Sequence, residues 1–233
     1  MSGTTPSLRL TILDGIRLTF GFSLGAFMFG VIYGAAAHVR GLPDAVILGK
    51  SLLAFAGAAQ FAALPLWDEP LPLAAIAIST IMISTRNILM GVTLAPMLRR
   101  APVVARYVGI GVIADASWAL VMQDRGRPHL FAFYLASSLL LFGMWNSGVA
   151  IGIALPGLLD PITLAAIGYG GVVFLSLILV MLARSRICPT LPWLVAAAVA
   201  VVSDMVLPPH LVVLAGVGAG AVTTFIVPDR AND

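Results

Sequence analysis

The sequence predicts an all-α integral membrane protein, a polytopic bundle of eight apolar segments that cross the bilayer six to eight times. Of its 233 residues, 60% are hydrophobic and only 10% are charged, whereas about 25% are charged in an average soluble domain. The mean hydropathy is +1.05, and apolar runs of roughly 20 residues, the length of a membrane-spanning helix, recur along the chain. Because the backbone must satisfy its own hydrogen bonds in lipid, these runs are predicted to be helical.

The eight segments are separated by short connections that contain proline, glycine and charged residues. No connection is long enough for a second domain, so we predict one transmembrane domain over residues 1–233, with a short polar N-terminus of about residues 1–17. The first apolar run lacks a small-residue cleavage site, which predicts a retained helix and not a removed signal peptide. The predicted segments are 18–39, 45–66, 71–97, 103–122, 129–156, 162–183, 191–207 and 209–227.

The basic residues do not fit eight simple crossings. From a cytoplasmic N-terminus, strict alternation places the arginines of 99–100 outside and Asp68 inside, which inverts the usual cytoplasmic excess of basic residues. The conflict disappears if 45–66 is re-entrant, and a re-entrant 162–183 would bring later arginines inside as well. The arginines of 125–127 then face out, so eight full crossings stay open as the alternative.

Two stretches with the same glycine spacing indicate pseudo-symmetric halves with discontinuous helices. Gly30 and Gly34 precede a turn and a polar-tinged apolar segment, and Gly148 and Gly152 do the same in the second half. Paired, glycine-interrupted segments point to the substrate site of a secondary transporter. The same spacing is typical of close helix packing, which we predict for the pairs Gly21/Gly25, Gly30/Gly34 and Gly216/Gly220.

Four charged side chains lie inside apolar segments, where charge is costly enough to suggest a function. Arg86 and Asp115 are the deepest, roughly 10 Å or more from either surface at 1.5 Å rise per residue. Lys50 and Asp204 lie nearer segment ends, which favours a structural role. Low-dielectric surroundings disfavour an ionised carboxylate, so Asp115 is predicted to couple protons, with Arg86 or Lys50 as its charge partner. The alternative is a structural Arg86–Asp115 ion pair that touches no substrate.

Polar residues in three segments are candidates for substrate binding. The most polar stretch, Ser84-Thr85-Arg86-Asn87, predicts a cavity wall or an unwound backbone. An amide such as that of Gln60 suits either a polar ligand or an interhelical hydrogen bond. A tryptophan and an asparagine in the middle of 129–156 predict a further cavity wall. The six candidates are Arg86, Asn87, Gln60, Ser84, Trp145 and Asn146.

Enzymatic chemistry finds little support in the sequence. Residues 21–25 match the pattern G-x-S-x-G, but within a predicted helix and not at a strand-to-helix turn. The histidines lie at segment ends, and neither a phosphate-binding loop nor metal-site spacing is present. Cys188 is the only cysteine, so an intrachain disulfide is excluded. We therefore predict no catalytic activity, no cofactor and no metal.

Several motifs resemble those of the AzlC family of branched-chain amino-acid permeases. Residues 55–61, with Ser51 before them, resemble its A-G-x-x-Q motif, and residues 84–91 resemble its N-x-R-H-x-L-x-G motif. Residues 115–120 are similar to its D-E-S-[FY]-A-L motif, and Trp145 with the glycines that follow it fits its tryptophan–glycine pattern. The similarity extends over most of the chain, from about residue 15 to residue 186.

The resemblance implies a proton-driven exporter of leucine, isoleucine and valine, with methionine as a further candidate, in a bacterial cytoplasmic (inner) membrane. It also implies a small membrane partner of the AzlD type. Ser84, Asn87 and Ala116 replace the family's asparagine, histidine and glutamate, so more of the proton role falls on Asp115. The alternatives are a permease subunit of an ATP-driven transporter, which needs a separate ATPase, and a membrane scaffold that transports nothing.

Overall fold

The computed structural model describes residues 7–67, 71–157, 190–207 and 209–226, and the regular structure in these residues is helical. Three helical stretches among the described residues, Leu8–Val39, Ile76–Leu98 and Leu130–Ala154, are long and apolar enough to cross a membrane, and a bent pair raises this number to four if it is one span. The class of helical membrane protein agrees with the prediction, whereas eight crossings are not confirmed. The helices are α1 (Leu8–Val39), α2 (Asp44–Leu53), α3 (Gly57–Ala63), α4 (Leu73–Leu98), α5 (Val103–Gly111), α6 (Asp115–Gln123), α7 (Leu130–Ala154), α8 (Thr190–Asp204) and α9 (Pro209–Ile226).

The chain divides into two compact units, Met1–Trp67 with Thr80–Gly171, and Asp68–Ser79 with Val172–Asp233. A single domain therefore stays a prediction. In the second unit α8 and α9 pack closely, because a Cβ on Gly216 would lie 3.1 Å from the carbonyl oxygen of Ala196. Asp204 ends α8 and is exposed. The predicted segment 162–183, with its expected re-entrant path, lies outside the described residues.

Helix α1 begins ten residues earlier than the apolar segment predicted at 18–39. Small residues four apart, Thr11, Gly15, Thr19 and Ser23, are all buried. They form one stripe along the helix, since residues four apart share a face. This stripe extends the packed face of α1 into the more polar N-terminal part, so residues 8–17 are helical.

The closest contact of the first unit is a parallel seam between α1 and α7. A Cβ on Gly30 would collide with the carbonyl oxygen of Trp145, and a Cβ on Gly148 would collide with that of Phe27. The contact is thus reciprocal, as expected from the matching glycine spacing, and it depends on glycine because backbone meets backbone. The prediction of close packing is confirmed for the pairs Gly30/Gly34 and Gly216/Gly220. The prediction is wrong at Gly21, where an added Cβ would meet nothing within 4 Å.

We predict that Gly148→Ala destabilises the protein strongly, because the added methyl group overlaps the backbone of α1 and neither helix can move without breaking the seam. Overpacking of this kind costs about 1–3 kcal/mol or more. Gly143→Ala is the matched control on the same helix, since a Cβ there meets nothing within 4 Å. Thermal unfolding in detergent should separate the two variants, and equal melting temperatures would contradict the seam.

The segment predicted at 45–66 is a re-entrant hairpin and not a crossing. Helices α2 and α3 are separated by a break at residues 54–56. The Arg40 guanidinium donates a hydrogen bond to the carbonyl oxygen of Pro65 at 3.1 Å, so the chain returns to the end at which it entered. A straight helix of that length would separate these residues by roughly 30 Å. This agrees with the re-entrant alternative, and we call residues 44–66 hairpin 1.

The segment predicted at 103–122 as a full crossing consists of two short helices with a sharp bend between them, so one continuous helix is not observed there. The chain bends by 116° between α5 and α6. The break lies at residues 112–114, where Ala114 is extended with φ −137° and ψ 147°. Asp115 follows in the first turn of α6, a position that favours a carboxylate because of the helix dipole, so a new helix begins there. We call residues 103–123 hairpin 2.

The two hairpins enter the first unit from opposite ends. Arg127, just after hairpin 2, lies 3.4 Å from Asp14 near the start of α1, and the Tyr134 hydroxyl near the start of α7 donates to the carbonyl oxygen of Gly109 at 2.7 Å. Hairpin 1 instead begins just after the C-terminal end of α1. Hairpin 2 therefore returns to the N-terminal end of α1.

This arrangement resolves the conflict in the distribution of basic residues. Because hairpin 2 returns, the arginines of 125–127 lie at the same end as those of 99–100, which differs from the expectation that they face out. The excess of arginine at this end indicates that it is the cytoplasmic one. The basic side chains there are Arg9, Arg17, Arg99, Arg100, Arg106, Arg125 and Arg127.

Candidate functional site

A cavity of about 760 Å³ lies between the breaks of the two hairpins and one face of α4. The α4 residues on it are spaced by three or four, as expected for one side of a helix. The volume is within the usual range of small-molecule sites, about 300–1,000 Å³. The lining residues are Leu53, Ala54, Phe55 and Ala56 of hairpin 1, Ser84, Asn87, Ile88, Gly91, Val92, Ala95 and Leu98 of α4, Arg99, and Arg106, Ile110, Gly111 and Ile113 of hairpin 2.

The cavity is apolar along most of its wall and polar at its two ends. Ser84 and Asn87 lie at the deep end, and Arg99 and Arg106 lie at the cytoplasmic end. The distance from residue 84 to residue 99 along α4 corresponds to roughly 22 Å at 1.5 Å per residue. The cavity therefore extends from the cytoplasmic end to about the middle of the bilayer, and its described lining residues include cations but no carboxylate.

Arg106 fixes the cytoplasmic end of the cavity. Its Nε donates to the carbonyl oxygen of Leu98 at 3.1 Å, and its Nη2 donates to those of Arg99 at 3.0 Å and Ala101 at 3.3 Å. Leu98 is the last residue of α4 and the other two carbonyls follow it within three residues, at a helix end where a cation is favourable because of the helix dipole. The guanidinium thus holds hairpin 2 against α4. Sequence reasoning missed both Arg99 and Arg106 as cavity residues, although Pro102 marks the turn that brings them there.

Arg86 and Asp115 form an ion pair, with Nη1 and Oδ2 2.8 Å apart. Arg86 lies 12 residues before the end of α4, which corresponds to roughly 18 Å, near the middle of a hydrocarbon core about 30 Å thick. The two side chains are 50% and 59% exposed in this chain alone. The structure thus brings together the two deep charges, whereas Lys50, the other candidate partner of Asp115, has its Nζ 4.6 Å from the centre of the Trp67 ring.

The predicted substrate residues of α4 fall on two faces. Ser84 and Asn87 line the cavity, whereas Arg86 lies on the face that packs against hairpin 2. On that face the Trp118 indole donates to the Thr93 hydroxyl at 2.8 Å. At roughly 100° per residue, Arg86 is turned by almost half a revolution from the middle of the cavity face. Arg86 is therefore adjacent to a cavity residue in sequence but does not itself line the cavity.

Gln60 supports the break of hairpin 1. Its side chain is 4% exposed, and its Nε2 donates to the carbonyl oxygens of Lys50 at 3.1 Å and Ala54 at 2.7 Å. The same two carbonyls also accept from the backbone N–H groups of Ala54 at 2.9 Å and Ala56 at 2.8 Å, so the amide is an additional donor that ties α3 to the end of α2. The sequence left open whether the Gln60 amide binds a polar ligand or makes a structural hydrogen bond. Its nitrogen makes structural hydrogen bonds.

Trp145 and Asn146 connect α7 to hairpin 1 and do not line the cavity. The Trp145 indole donates to the Ser51 hydroxyl at 2.9 Å, and that hydroxyl donates to Asn146 Oδ1 at 2.7 Å. Trp145 is 3% exposed, and a Cβ on Gly57 would lie 2.8 Å from its ring. Gly57 therefore has to be glycine for α3 to begin against the indole.

We predict that Ser51→Ala destabilises the protein by about 1–3 kcal/mol, because it leaves the buried Trp145 indole N–H and the half-buried amide oxygen of Asn146 without this partner. Ser147→Ala is the matched control, since that exposed hydroxyl donates only to the carbonyl oxygen of Met144 in its own helix. Chemical or thermal unfolding measures the difference. Equal stability of the two variants would mean that the network adds little to the attachment of hairpin 1.

Comparison with known proteins identifies the family of this chain. The sequence model described as AzlC protein matches residues 21–159, a region that includes both hairpins and the residues that line the cavity. Comparisons with curated proteins and with solved structures gave no match. AzlC is a transport family associated with branched-chain amino acids, and not a family of enzymes. Since the match covers more than half of the 233 residues, the chain belongs to the AzlC family.

Proposed function

We propose that this chain is a secondary transporter that exports leucine, isoleucine and valine, and also methionine, across the bacterial inner membrane. Protons move in the opposite direction, and a small AzlD-type membrane protein is the partner. One observation carries this proposal: two hairpins from opposite ends meet at a cavity, and an ion pair at the same depth adjoins it. Breaks in helices near the bilayer midplane are typical of transporter substrate sites.

The lining of the cavity suits an amino acid with a branched apolar side chain. Leu53, Ile88 and Val92 offer apolar walls, and Ser84 and Asn87 offer hydrogen bonds at the deep end. The backbone of the two breaks adds polar groups, which is tolerated at membrane depth only where they line a cavity or are buried in protein. The substrate's polar head would lie against Asn87, and its side chain would lie along α4.

The position of the cavity supports export. The cavity extends to the cytoplasmic end, past Arg99 and Arg106, whereas residues 54–56 of hairpin 1 form its deep wall. A substrate from the cytoplasm reaches the middle of the bilayer by this route, and the tip of hairpin 1 stands between it and the outside. Movement of that tip would complete alternating access.

The ion pair offers a route from substrate binding to proton binding. Arg86 directly precedes the cavity residue Asn87, and Asp115 follows the cavity residue Ile113 by two positions. A substrate that shifts either lining residue would disturb the pair. Asp115 without its cation is destabilised as a carboxylate, so it would take up a proton. Binding of substrate would thus separate Arg86 from Asp115 and favour proton binding to Asp115. Coupling of this kind between substrate and proton is the basis of antiport.

The exposure of the ion pair supports a membrane partner. Half-exposed charges near the middle of the bilayer are not stable against lipid, so water or another protein chain has to cover them. The resemblance to the AzlC family supplies a partner of the AzlD type. We therefore predict that export requires co-expression of the partner, and full activity of this chain alone in liposomes would contradict this.

The experiment is uptake of radiolabelled leucine into inside-out proteoliposomes, which corresponds to export from the cell, with and without the partner and with and without an imposed pH gradient. We expect uptake into these vesicles only when both proteins and the gradient are present. Leucine movement that depends on ATP and a separate ATPase would support the alternative of a permease subunit. If the chain neither transports nor binds leucine, the remaining alternative is a membrane scaffold that transports nothing.

A further inference from the structure

Four buried side-chain polar atoms in the described part of the chain have no hydrogen-bond partner, and three of them belong to residues around hairpin 1. These three are the Tyr33 hydroxyl, the Lys50 Nζ and the Gln60 Oε1, and the fourth is the Thr19 hydroxyl. A buried polar group without a partner costs free energy. Buried polar groups are almost always paired in folded proteins, so a cluster of orphans points to a ligand.

Contacts place the three residues on neighbouring elements around one aromatic cluster. The Gln60 Nε2 donates to the backbone carbonyl of Lys50 at 3.1 Å. The Tyr33 ring lies 5.4 Å from the ring of Phe61, the neighbour of Gln60. Tyr33, Phe61 and Trp67 belong to one packed cluster, and Trp67 is the ring under the Lys50 ammonium.

The cluster lies on the outer side of the break in hairpin 1. Tyr33 is six residues before the end of α1, and Lys50 is six residues after the start of α2. Both are therefore roughly 9 Å inward from the outer end at 1.5 Å per residue. Residues 53–56 line the cavity, whereas Tyr33, Lys50 and Gln60 are not among its described lining residues. An amino acid that leaves the cavity toward the outside has to pass this break.

We propose that Lys50, Tyr33 and Gln60 form an exit-side subsite for the head group of a zwitterionic amino acid, a proposal that rests on the proposed function. The ammonium of Lys50 and the hydroxyl of Tyr33 donate to the substrate carboxylate, and the amide oxygen of Gln60 accepts from the substrate ammonium. Without substrate, the ammonium of Lys50 lies over the Trp67 ring, an attraction that a carboxylate replaces.

Gln60 links this subsite to the opening of hairpin 1. Its amide nitrogen holds the Ala54 carbonyl at 2.7 Å, and its amide oxygen is the orphan atom of the subsite. A substrate that binds the oxygen therefore acts on the same amide that closes the break. The subsite receives the head group when the tip opens and holds it until release.

Tyr33→Phe tests the subsite by removing a single oxygen. If that hydroxyl only lacks a partner, its removal leaves export unchanged and does not lower stability. The subsite instead predicts a roughly tenfold rise in the leucine concentration for half-maximal export, the effect of losing one hydrogen bond to a charged group. Thr19→Val is the matched control, because the Thr19 hydroxyl also lacks a partner but lies far from hairpin 1. Export by the Thr19→Val variant should equal export by the wild type.

Lys50→Met adds a test of chemical specificity by competition. Leucine, leucinol, which lacks the carboxylate, and 4-methylpentanoate, which lacks the amine, compete with labelled leucine. We expect the wild type to favour leucine over leucinol about tenfold or more and Lys50→Met to lose that preference. If Lys50→Met does not fold, Tyr33→Phe carries the test. Export by Tyr33→Phe equal to that of Thr19→Val would overturn the subsite and leave water as its occupant.

Leucine-induced thermal stabilisation of the purified protein separates failure of the subsite from failure of the proposed function. If the wild type with its partner does not export leucine, the proposed function fails. The subsite still predicts that leucine stabilises the wild type and Thr19→Val but stabilises Tyr33→Phe much less. Equal or absent stabilisation in all three proteins would overturn the subsite.

Discussion

Asp115→Asn is expected to fold and insert, to lose export driven by a pH gradient by tenfold or more, and to retain pH-independent exchange of leucine. The amide keeps the shape of the carboxyl group and a hydrogen bond to Arg86, which lies 2.8 Å away in the wild type. It cannot take up a proton, so the coupling between substrate and proton ends. Reconstituted vesicles with and without a pH gradient measure both activities.

The control for this variant is Asp124→Asn. Asp124 also pairs with an arginine, Arg127, at 3.2 Å, but it lies at the cytoplasmic surface between hairpin 2 and α7. Its loss should leave pH-driven export unchanged. Wild-type pH dependence in Asp115→Asn would rule out the proton role. Failure of Asp115→Asn to insert would indicate instead that the ion pair is a structural clasp, whose breakage costs several kcal/mol.

Arg86→Lys is expected to weaken leucine binding by about tenfold or more while the protein still inserts and purifies. An ammonium keeps the charge but cannot present the planar fork that matches a carboxylate. Because Arg86 lies on the hairpin 2 face of α4, we expect it to meet the substrate carboxylate through water or after moving from Asp115. Equilibrium binding of labelled leucine to the purified protein measures the loss.

Arg100→Lys is the matched control for Arg86→Lys. Arg100 is exposed at the cytoplasmic end, and it is not among the described residues that line the cavity. The Arg100→Lys variant should bind leucine as tightly as the wild type does. If Arg86→Lys also binds leucine normally, Arg86 has no substrate role and only its pairing with Asp115 is left.

The membrane class and the positions of the long helices could be predicted from composition and from the length of the apolar runs. A backbone in lipid has to satisfy its own hydrogen bonds, which a helix does within one segment. Hairpin 1 could be inferred from a conflict in charge topology, and polar residues such as Lys50 and Gln60 marked it. Hairpin 2 was not inferred, since its break at 112–114 is apolar and its only turn residue is Gly111, which ends α5 directly before the break. The extended Ala114 depends on tertiary contacts that hydropathy does not report.

The candidate site was predicted in part for a similar reason. The polar stretch 84–87 marks the depth of the site, but the helical period places Arg86 and Asn87 on different faces, and only the neighbours of α4 decide which face borders the cavity. Likewise, Gly21 and Gly30 both belong to pairs with the same spacing. Only Gly30 meets a facing backbone, because spacing identifies a smooth helix face and not what packs on it.

The central claim is that leucine occupies the cavity between the two hairpins, and site-directed cysteine labelling tests it most directly. Cys188 is the only native cysteine, so Cys188→Ser provides a cysteine-free background for Asn87→Cys in the cavity and Arg100→Cys at the surface. We expect a maleimide added from the cytoplasmic side to label both variants, and leucine to slow the labelling of Asn87→Cys alone. Labelling of Asn87→Cys that leucine does not affect, or no labelling from that side, would contradict the account.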